Sequence, residues 1–496
     1  MRKASMLFAL LLVVGMGGML YAHSALTASQ TEVSFVELAS YGDVAAAAGL
    51  EVSVQAQLAE HLAWDSVYTF GKQAATKTDF KFSTTALQWR PDNTSELLSI
   101  SIPSDLSVTT SGSMLDDTAG ASAPGPEFDS FIVLLRDVAS RTNNGESHKE
   151  TVNYKDYYDY YPISVDLWTE PEQYYSAYDD KGEQYIGQMT GEGEMSRAFG
   201  SYFKIPVLED DRITVEITKD TAGNVVGMST SKNSPVWLST VSAKHENGIY
   251  FALQMEDGLT DYSEITGGFG IYLLPASTIE DDDGNELPTL DYENLSTVYS
   301  LSETAKIYRL FLSEDKSCLN LITMENDNLL LTVIDMDTMA DKQVLPLFTD
   351  VASEAGLQTA SYVDGLLFVL LNDGRFVLAG KMGDNTYRTA LSGVRNMELL
   401  NEDSFSGGYF RWFEPVLAWD GKRLALITAT QRFVPRHNDV SIGYSYDTCG
   451  FMVEVFRQDG LAYKGIYHSS LDALATQDNY NGRVRLIDTG ALSLGW

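Results

Sequence analysis

Tight-turn residues recur at regular intervals between strand-like runs in the C-terminal half of the chain. Asp373-Gly374, Asp420-Gly421 and Asp459-Gly460 each separate two runs rich in apolar or β-branched residues, and Asn326-Asp327-Asn328 occupies the equivalent place before them. Asp-Gly favours hairpin turns of type I′, because both central residues of that turn take positive φ. Counted from Asp327, successive turns lie 46, 47 and 39 residues apart. Each period has room for four short strands, which is the content of one β-propeller blade.

The spacing therefore predicts an all-β fold, a β-propeller of about six to eight blades with long loop insertions. The composition agrees, because aromatic residues make up 11 % of the chain and favour strands. We expect the insertions near residues 110–127, 145–200 and 276–296. Hairpins alone also fit stacked sheets, or a separate β-rich domain followed by a partial propeller. A partial propeller would leave sheet edges unpaired, so the closed form is preferred.

Three other segments carry a local structural signal. Ile213 to Thr218 alternates apolar and polar residues and is followed by turn residues 220–224, which predicts a β-hairpin. The apolar run from Phe131 to Leu135 fits either a strand or a helix. Residues 45–48, all alanine, predict a short helical turn that Gly49 ends.

The N-terminus has the pattern of an export signal. Arg2 and Lys3 precede an apolar run of 17 residues from Met6 to Ala22, long enough for a signal peptide and just long enough to span a bilayer. We predict a signal peptide or uncleaved membrane anchor over 1–25, a spacer over 26–50 and an extracytoplasmic propeller domain over 51–496. The protein is then exported, and either anchored on the outer face of the membrane or secreted.

The charge of the chain excludes one large class of partner. The formal net charge is −35. Nucleic-acid binding depends on Lys and Arg meeting phosphates, so nucleic acid is not an expected partner. Anionic lipid is disfavoured for the same reason, which leaves the N-terminal segment as the only expected membrane contact. The two cysteines, Cys318 and Cys449, form either one disulfide or two buried thiols.

The sequence carries no local catalytic signature. It has no Gly-x-Ser-x-Gly elbow, no His-Glu-x-x-His, no Cys-x-x-Cys and no phosphate-binding Gly-x-x-x-x-Gly-Lys motif. We therefore lean toward a protein that is not an enzyme and needs no cofactor.

One acidic loop resembles the start of a calcium-binding loop. Asp281, Asp283 and Asn285 alternate as the first ligands of an EF-hand do, so they are candidate Ca²⁺ ligands. Glycine stands at the fourth place rather than the sixth, and Tyr292 stands where a carboxylate is needed. A solvated turn fits the same residues.

A tyrosine-rich segment is the most unusual part of the sequence. Its candidate ligand-binding or partner-binding residues are Tyr157, Tyr158, Tyr160, Tyr161, Trp168, Tyr174 and Tyr175. Exposed aromatic rings stack on sugars or form protein interfaces, in which Tyr is enriched. The alternative is an insertion that packs these rings on the sheets and leaves the hydroxyls in water.

These features favour a membrane-associated propeller that acts as a protein-interaction or scaffold module in the cell envelope. Its expected partners are envelope or membrane proteins. The alternative is an exported protein that binds carbohydrate or hydrolyses glycosides, because aromatic and acidic residues are abundant and propellers host such sites. A sensor for a small ligand in a central channel is a third hypothesis, with no residue to support it.

Overall fold

The computed structural model describes most of the chain, in segments. They are residues 14–21, 33–58, 62–71, 75–82, 98–103, 106–109, 126–167, 176–178, 184–186, 192–232, 236–255, 262–280, 286–352, 355–363, 365–395, 415–438, 441–470, 484–486 and 492–496. Within them, antiparallel strands dominate, and the two longest helices are α1 (Pro126–Arg141) and α2 (Glu192–Phe203). Short 3₁₀ turns occur at Val44–Ala47, Tyr154–Asp156 and Tyr292–Asn294.

The strands are numbered in chain order. The N-terminal half holds β1 Phe35–Gly42, β2 Glu51–Leu58, β3 Leu62–Thr69, β4 Ala75–Phe82, β5 Leu98–Ser101, β6 Leu106–Thr109, β7 Ser147–Asn153, β8 Ser164–Leu167, β9 Ser176–Tyr178, β10 Gln184–Ile186, β11 Arg212–Lys219, β12 Val225–Lys232, β13 Leu238–His245 and β14 Gly248–Met255. The C-terminal half holds β15 Gly270–Glu280, β16 Glu286–Leu290, β17 Ser296–Ser300, β18 Lys306–Leu312, β19 Cys318–Glu325, β20 Asn328–Asp335, β21 Ala340–Phe348, β22 Leu357–Val363, β23 Leu366–Leu371, β24 Arg375–Lys381, β25 Tyr387–Val394, β26 Val416–Trp419, β27 Leu424–Asn438, β28 Ser441–Arg457, β29 Gly460–Ser469, β30 Val484–Leu486 and β31 Leu492–Gly495.

The predicted hairpins are present at all four turns, but their geometry differs from the prediction at three. Asn326 and Asp327 both take positive φ, 48° and 61°, as a type I′ turn requires. At the three Asp-Gly pairs only the glycine has positive φ: 87° at Gly374, 92° at Gly421 and 113° at Gly460. The prediction of type I′ turns is therefore wrong for the Asp-Gly pairs.

The aspartate side chain gives the physical reason for this difference at two of these turns. The Asp373 carboxylate accepts a hydrogen bond from the backbone N–H of Arg375 at 3.0 Å, and Asp420 accepts from Lys422 and Arg423 at 2.9 and 2.7 Å. The aspartates that make these bonds do not take positive φ, and the glycine after each takes the left-handed conformation, for which it has no steric cost. The turns are then longer than two residues, yet they still reverse the chain.

Two compact units make up the chain, and each has its own cores. The first comprises Met1–Asn93, Ala355–Gly380 and Thr389–Trp496, and the second comprises Thr94–Glu354 and Lys381–Arg388. In the first unit one sheet has the order β1-β29-β28-β27-β26, and a second has the order β30-β2-β3-β4, with β31 also pairing with β2. The sheet β22-β23-β24-β25 belongs to this unit apart from Lys381 at the end of β24 and the first two residues of β25.

The sheets of the first unit pack face to face. Trp64, Val453 and Tyr467 belong to a core between the sheet of β2–β4 and the sheet of β26–β29. Phe368 and Leu426 belong to another core, which joins the sheet of β26–β29 to the sheet of β22–β25. Successive antiparallel sheets that bury apolar faces against each other are the packing of neighbouring propeller blades.

The two ends of the chain complete each other's sheets within the first unit. Strand β1 pairs antiparallel with β29 from Phe35 opposite Ser469 to Gly42 opposite Tyr463. At the other end, β31 pairs with β2, with Leu492 opposite Val54. These pairings cover the outer edge of β29 with β1 and leave β1 as the edge strand of its sheet. The predicted spacer over 26–50 is therefore wrong for residues 35–42, which form strand β1. The helical turn predicted at 45–48 is present as the 3₁₀ turn, with Gly49 at φ 87°.

The second unit holds further meanders and the two helices. Its sheets include β13-β14-β15-β16, with β17 also pairing with β15, and β18-β19-β20-β21. A core that contains Ile271 and Leu319 lies between these two sheets. The sheet β6-β12-β11-β7, which we call the insert sheet, contains the predicted hairpin of β11 and β12. Cys318 is a buried free cysteine at the start of β19.

Helices α1 and α2 pack in the core of this unit. Phe131 and Leu135 of α1, Phe199 of α2 and Val215 of β11 belong to one cluster of buried residues. The apolar run at 131–135, which fitted either a strand or a helix, is therefore helical. Residues 145–200, expected as a loop insertion, contain β7 to β10, the 3₁₀ turn at Tyr154–Asp156 and most of α2 in their described part.

The sheets confirm the predicted fold class. The chain is all-β, and β18–β21, β22–β25 and β26–β29 are consecutive four-stranded antiparallel meanders of the propeller-blade type. The two helices are additions to this pattern that the sequence analysis did not resolve.

The predicted membrane segment lies largely outside the described residues, which begin at 14. Residues 14–21 form a helical stretch with exposed side chains. Among the residues that the structure describes, no helix combines the length and the apolar character that crossing a bilayer requires. The signal peptide or anchor stays a prediction.

A carboxylate in the second unit makes stability depend on pH. Asp315 accepts hydrogen bonds from the Asn385 amide and the Ser313 hydroxyl, both at 2.7 Å, and these bonds, with Asn385 first, hold the pKa of its carboxyl below the usual range. A lowered folded-state pKa stabilises the fold above the unfolded pKa of about 3.9, and the benefit is lost as the pH falls through the folded pKa. We expect Asp315→Asn to lower the urea midpoint at pH 7, by a difference that shrinks below about pH 4.

The matched control is Asp337→Asn, an exposed aspartate in a neighbouring turn whose carboxylate makes no hydrogen bond within the described part of the chain. Urea unfolding of both variants and the parent from neutral to acid pH measures the effect. Equal pH profiles for the two variants would contradict the assignment to Asp315.

Candidate functional site

The predicted tyrosine segment divides between core and surface. Tyr161 is buried, Tyr157 and Tyr158 pack against the same core from its edge, and Tyr160 is 39 % exposed. The other predicted positions lie outside the described residues; they are Trp168, Tyr174 and Tyr175.

Ring contacts hold this segment on the core. The centroid of the Tyr154 ring lies 5.0 Å from that of Tyr158 and 5.8 Å from that of Tyr161. Burial raises the pKa of Tyr158 to about 12 and also raises that of Tyr154. Tyr161 therefore packs its ring inside the unit instead of presenting it to a ligand, and Tyr160 is the most exposed of the four predicted tyrosines that the structure describes.

Tyr157 joins the segment to helix α1 through its hydroxyl. That hydroxyl donates to Asp137 Oδ2 at 2.5 Å, and Arg141 Nη1 donates to the same oxygen at 2.8 Å. The bond from Tyr157, followed by the charge of Arg141, holds the pKa of Asp137 below its usual range. Arg141 also reaches Glu150 Oε2 on β7 at 3.0 Å. This network fixes the end of α1 against the insert sheet, which is a structural role.

Tyr161 positions Asp211, the residue immediately before β11. Its hydroxyl donates to Asp211 Oδ2 at 2.5 Å and accepts a hydrogen bond from the Leu208 backbone N–H at 3.3 Å. The Asp211 carbonyl accepts from the Tyr154 N–H at 2.9 Å. Asp211 is only 4 % exposed. The tyrosine segment therefore fixes the position of both its backbone and its carboxylate.

A surface cavity of about 370 Å³ opens beside Asp211, and we call it the hydroxyl cavity. Its walls come from the turn before β11 and from β7, β11 and β12. They are Thr151, Leu208, Asp210, Asp211, Arg212, Thr214 and Ser231. Sequence reasoning found Tyr161, which supports the cavity, but missed the residues that line it. The signal was present, since 209–212 is a charged run immediately before the alternating strand.

An apolar edge strand is the second accessible feature, and it lies in the first unit. Val36, Leu38 and Tyr41 of β1 are 58, 46 and 47 % exposed, whereas Phe35 is buried. Among the described strands, β1 is the last of its sheet and pairs only with β29. The pairing shifts between Glu37 and Ala39, which marks a bulge. A free strand edge with apolar side chains is a template for adding another strand.

Buried charges form a compact cluster elsewhere in the first unit. Arg395 Nε donates to Glu454 Oε2 at 2.6 Å, Arg395 Nη2 donates to the Thr428 hydroxyl at 3.3 Å, and Lys464 Nζ lies 3.4 Å from Glu454 Oε1. The three charged side chains are 1–2 % exposed. Burial lowers the pKa of Lys464. Because these side chains are almost inaccessible to water, we assign the cluster a structural role.

The candidate calcium ligands Asp281, Asp283 and Asn285 lie outside the described residues. Within the described segments, no group of three or more His, Cys, Asp or Glu side chains is placed to hold a metal ion.

Comparison with known proteins gives only distant structural likenesses. No family model matches the chain, and no curated protein matches it. Among solved structures, a proposed 6-phosphogluconolactonase from Bacteroides fragilis has a TM-score of 0.27 at 7 % identity, over 80 % of this chain and 93 % of that chain. The Nup170 N-terminal domain from Chaetomium thermophilum, in complex with Nup53, has a TM-score of 0.25 at 12 % identity, over 50 % and 37 %.

A third likeness is to the β-propeller domain of Cps50 (Swd1) from Myceliophteria thermophila, with a TM-score of 0.21 at 9 % identity, over 52 % of this chain and 93 % of that domain. At these scores the likenesses assign no activity and no partner. The fold class follows from the sheets themselves.

Proposed function

We propose that the protein is an exported, membrane-associated interaction module of the cell envelope, whose protein partner adds a strand to β1. The observation that carries the proposal is the exposure of three apolar side chains on a strand with one unpaired edge in the described structure. Proteins protect such edges with charge, proline, β-bulges or a covering element, and β1 has a bulge but keeps three apolar side chains exposed. At the unpaired edge of β1, the backbone can hydrogen-bond to an added strand of a second chain, and the exposed Val, Leu and Tyr side chains can contact that strand.

The position of β1 in the chain suggests where the partner lies. Residues 23–34 separate the apolar N-terminal run from Phe35, which is 12 residues. Twelve extended residues reach roughly 40 Å at most. With an uncleaved anchor, the edge of β1 is therefore held close to the membrane surface, and the accessible partners are membrane or envelope proteins.

Photo-crosslinking in native membranes tests this proposal. A photoreactive residue in place of Val36 or Tyr41 should give a discrete adduct with another protein, because both side chains are exposed on the free strand. The matched control is Val394, which is equally exposed at 58 % in the same unit but lies on another sheet. Tyr41→Lys should reduce the Val36 adduct about tenfold or more, as expected for loss of an aromatic interface residue.

Two results would count against the module. Adducts of equal yield at Val36 and Val394 would show non-specific proximity. Recovery of the chain in a cytosolic fraction with residue 1 intact would contradict export.

A further inference from the structure

The hydroxyl cavity lies on the polar face of the insert sheet. Thr214 of β11 stands opposite Thr151 of β7 on one side and opposite Ser231 of β12 on the other. The two threonine hydroxyls lie 2.9 Å apart. Three hydroxyls thus form a row across neighbouring strands, at the spacing of roughly 5 Å that strand pairing imposes. The opposite face of β11 is buried on the helices, so the row is held by a rigid support.

Two charged side chains at the end of this row and one hydroxyl of the row make no polar contact with other described residues. Within the part of the chain that the structure describes, the side chains of Asp210, Arg212 and Ser231 line the cavity and make no hydrogen bond or ion pair. Asp211 is different, since its carboxylate is buried and held by Tyr161. The cavity therefore combines fixed and available polar groups, which is how small-ligand sites obtain orientation and affinity.

The chemistry of the walls selects the ligand class. Carboxylates only accept hydrogen bonds, a guanidinium only donates them, and hydroxyls do both. A ligand that satisfies all three must offer donors and acceptors side by side. Two carboxylates against one guanidinium, in a chain of net charge −35, repel phosphates and carboxylic acids. The guanidinium in turn opposes a metal cation. A neutral polyhydroxylated ligand meets every condition, and Leu208 offers a small apolar surface to its C–H groups.

We propose that the hydroxyl cavity binds a neutral saccharide of one or two rings. A volume of about 370 Å³ lies at the lower end of the range for small-ligand sites, which suits one or two sugar rings rather than a long chain. Arg212 and the two aspartates orient the sugar hydroxyls, and the row from Thr151 to Ser231 bonds to the remaining ones. Tyr161 is a positioning residue that fixes Asp211. This site is independent of strand β1, so its test does not bear on the interaction module.

Calorimetric titration of the full chain tests the proposal, with cellobiose, maltose and N-acetylglucosamine as probes. At least one saccharide should bind in the millimolar range or tighter. Inorganic phosphate and calcium chloride, titrated separately, should give no binding. If none of the three saccharides bound, or if only phosphate or calcium bound, the proposal would be overturned.

Variants that remove single hydroxyls locate the site. Thr214→Val and Ser231→Ala each remove a hydroxyl from the cavity and should weaken saccharide binding about tenfold. Thr218→Val is the matched control, because Thr218 lies on the same strand and face but outside the cavity and bonds to Ser147 at 3.1 Å. It should leave the affinity unchanged. Equal weakening by Thr218→Val, or no weakening by the two cavity variants, would place the saccharide elsewhere and overturn the assignment.

Discussion

Replacing Glu454 with glutamine should destabilise the first unit by about 3–5 kcal/mol. Glu454 pairs with both Arg395 and Lys464, and all three side chains are almost inaccessible to water. Glutamine keeps the size of the side chain but removes its charge. Arg395 and Lys464 would then lose the negative charge that Glu454 supplies to both, and weakening the neutralisation of buried charges is costly.

The control uses a carboxylate in a pair of the same type at the surface. Asp373 pairs with Arg375 at 2.7 Å, with the two side chains 36 and 29 % exposed. Asp373→Asn should cost about 1 kcal/mol or less, because water and salt screen such pairs. Urea unfolding followed by tryptophan fluorescence measures both variants. A loss at Glu454 no larger than the loss at Asp373 would show that the cluster is not a buried ion network.

The second large effect is expected at Phe35. Its ring packs 5.1 Å from Phe451 and 5.9 Å from Tyr68, measured between ring centroids, and so anchors β1 in the core between two sheets. Phe35→Ala should cost about 3–5 kcal/mol, the usual loss for a buried phenylalanine, because it leaves a cavity where the terminal strand meets the core.

The adjacent residue supplies the control for this substitution. Val36 points to the other face and is 58 % exposed, so Val36→Ala should change stability by about 0.5 kcal/mol or less. Thermal unfolding of the two variants and the parent gives the comparison. If both substitutions had the same small effect, β1 would not be part of the folded unit.

Local hairpins were predictable from the sequence because their signal is local. Two apolar runs separated by a residue that tolerates positive φ predict a hairpin. This pattern predicts the hairpin of β23 and β24 and the hairpin of β28 and β29. The turn type was not predictable to the same degree. Asp373 and Asp420 bond to their own turns, and that competing hydrogen bond is invisible in the dipeptide pattern.

Strand β1 was missed for the opposite reason. Its partner β29 lies more than 400 residues further along the chain, as the bond from the Ser34 N–H to Ser470 Oγ at a separation of 436 residues shows. Val36, Leu38 and Tyr41 are exposed, so the burial pattern has no clear two-residue period. This segment is a strand because it pairs with β29, and its local sequence pattern does not predict that pairing.

The candidate site could also be predicted only in part, because it depends on tertiary contacts. The tyrosine segment was recognisable from composition, but burial of Tyr161 depends on α1, α2 and β11 meeting around it. The hydroxyl row exists only because β7, β11 and β12 pair in one register, and Thr151 is separated from Thr214 by 63 residues of chain. Residues that line a cavity across strands carry no shared signal in the sequence.

Amide hydrogen exchange of the full chain tests most directly whether the ends of the chain close the first unit. The pairing predicts that amides of Phe35–Gly42 are protected together with those of Gly460–Ser469, and that Phe35→Ala speeds exchange in both segments. Exchange of Phe35–Gly42 at the rate of an unstructured peptide, with Gly460–Ser469 still protected, would contradict the closure and remove the edge strand on which the interaction module rests.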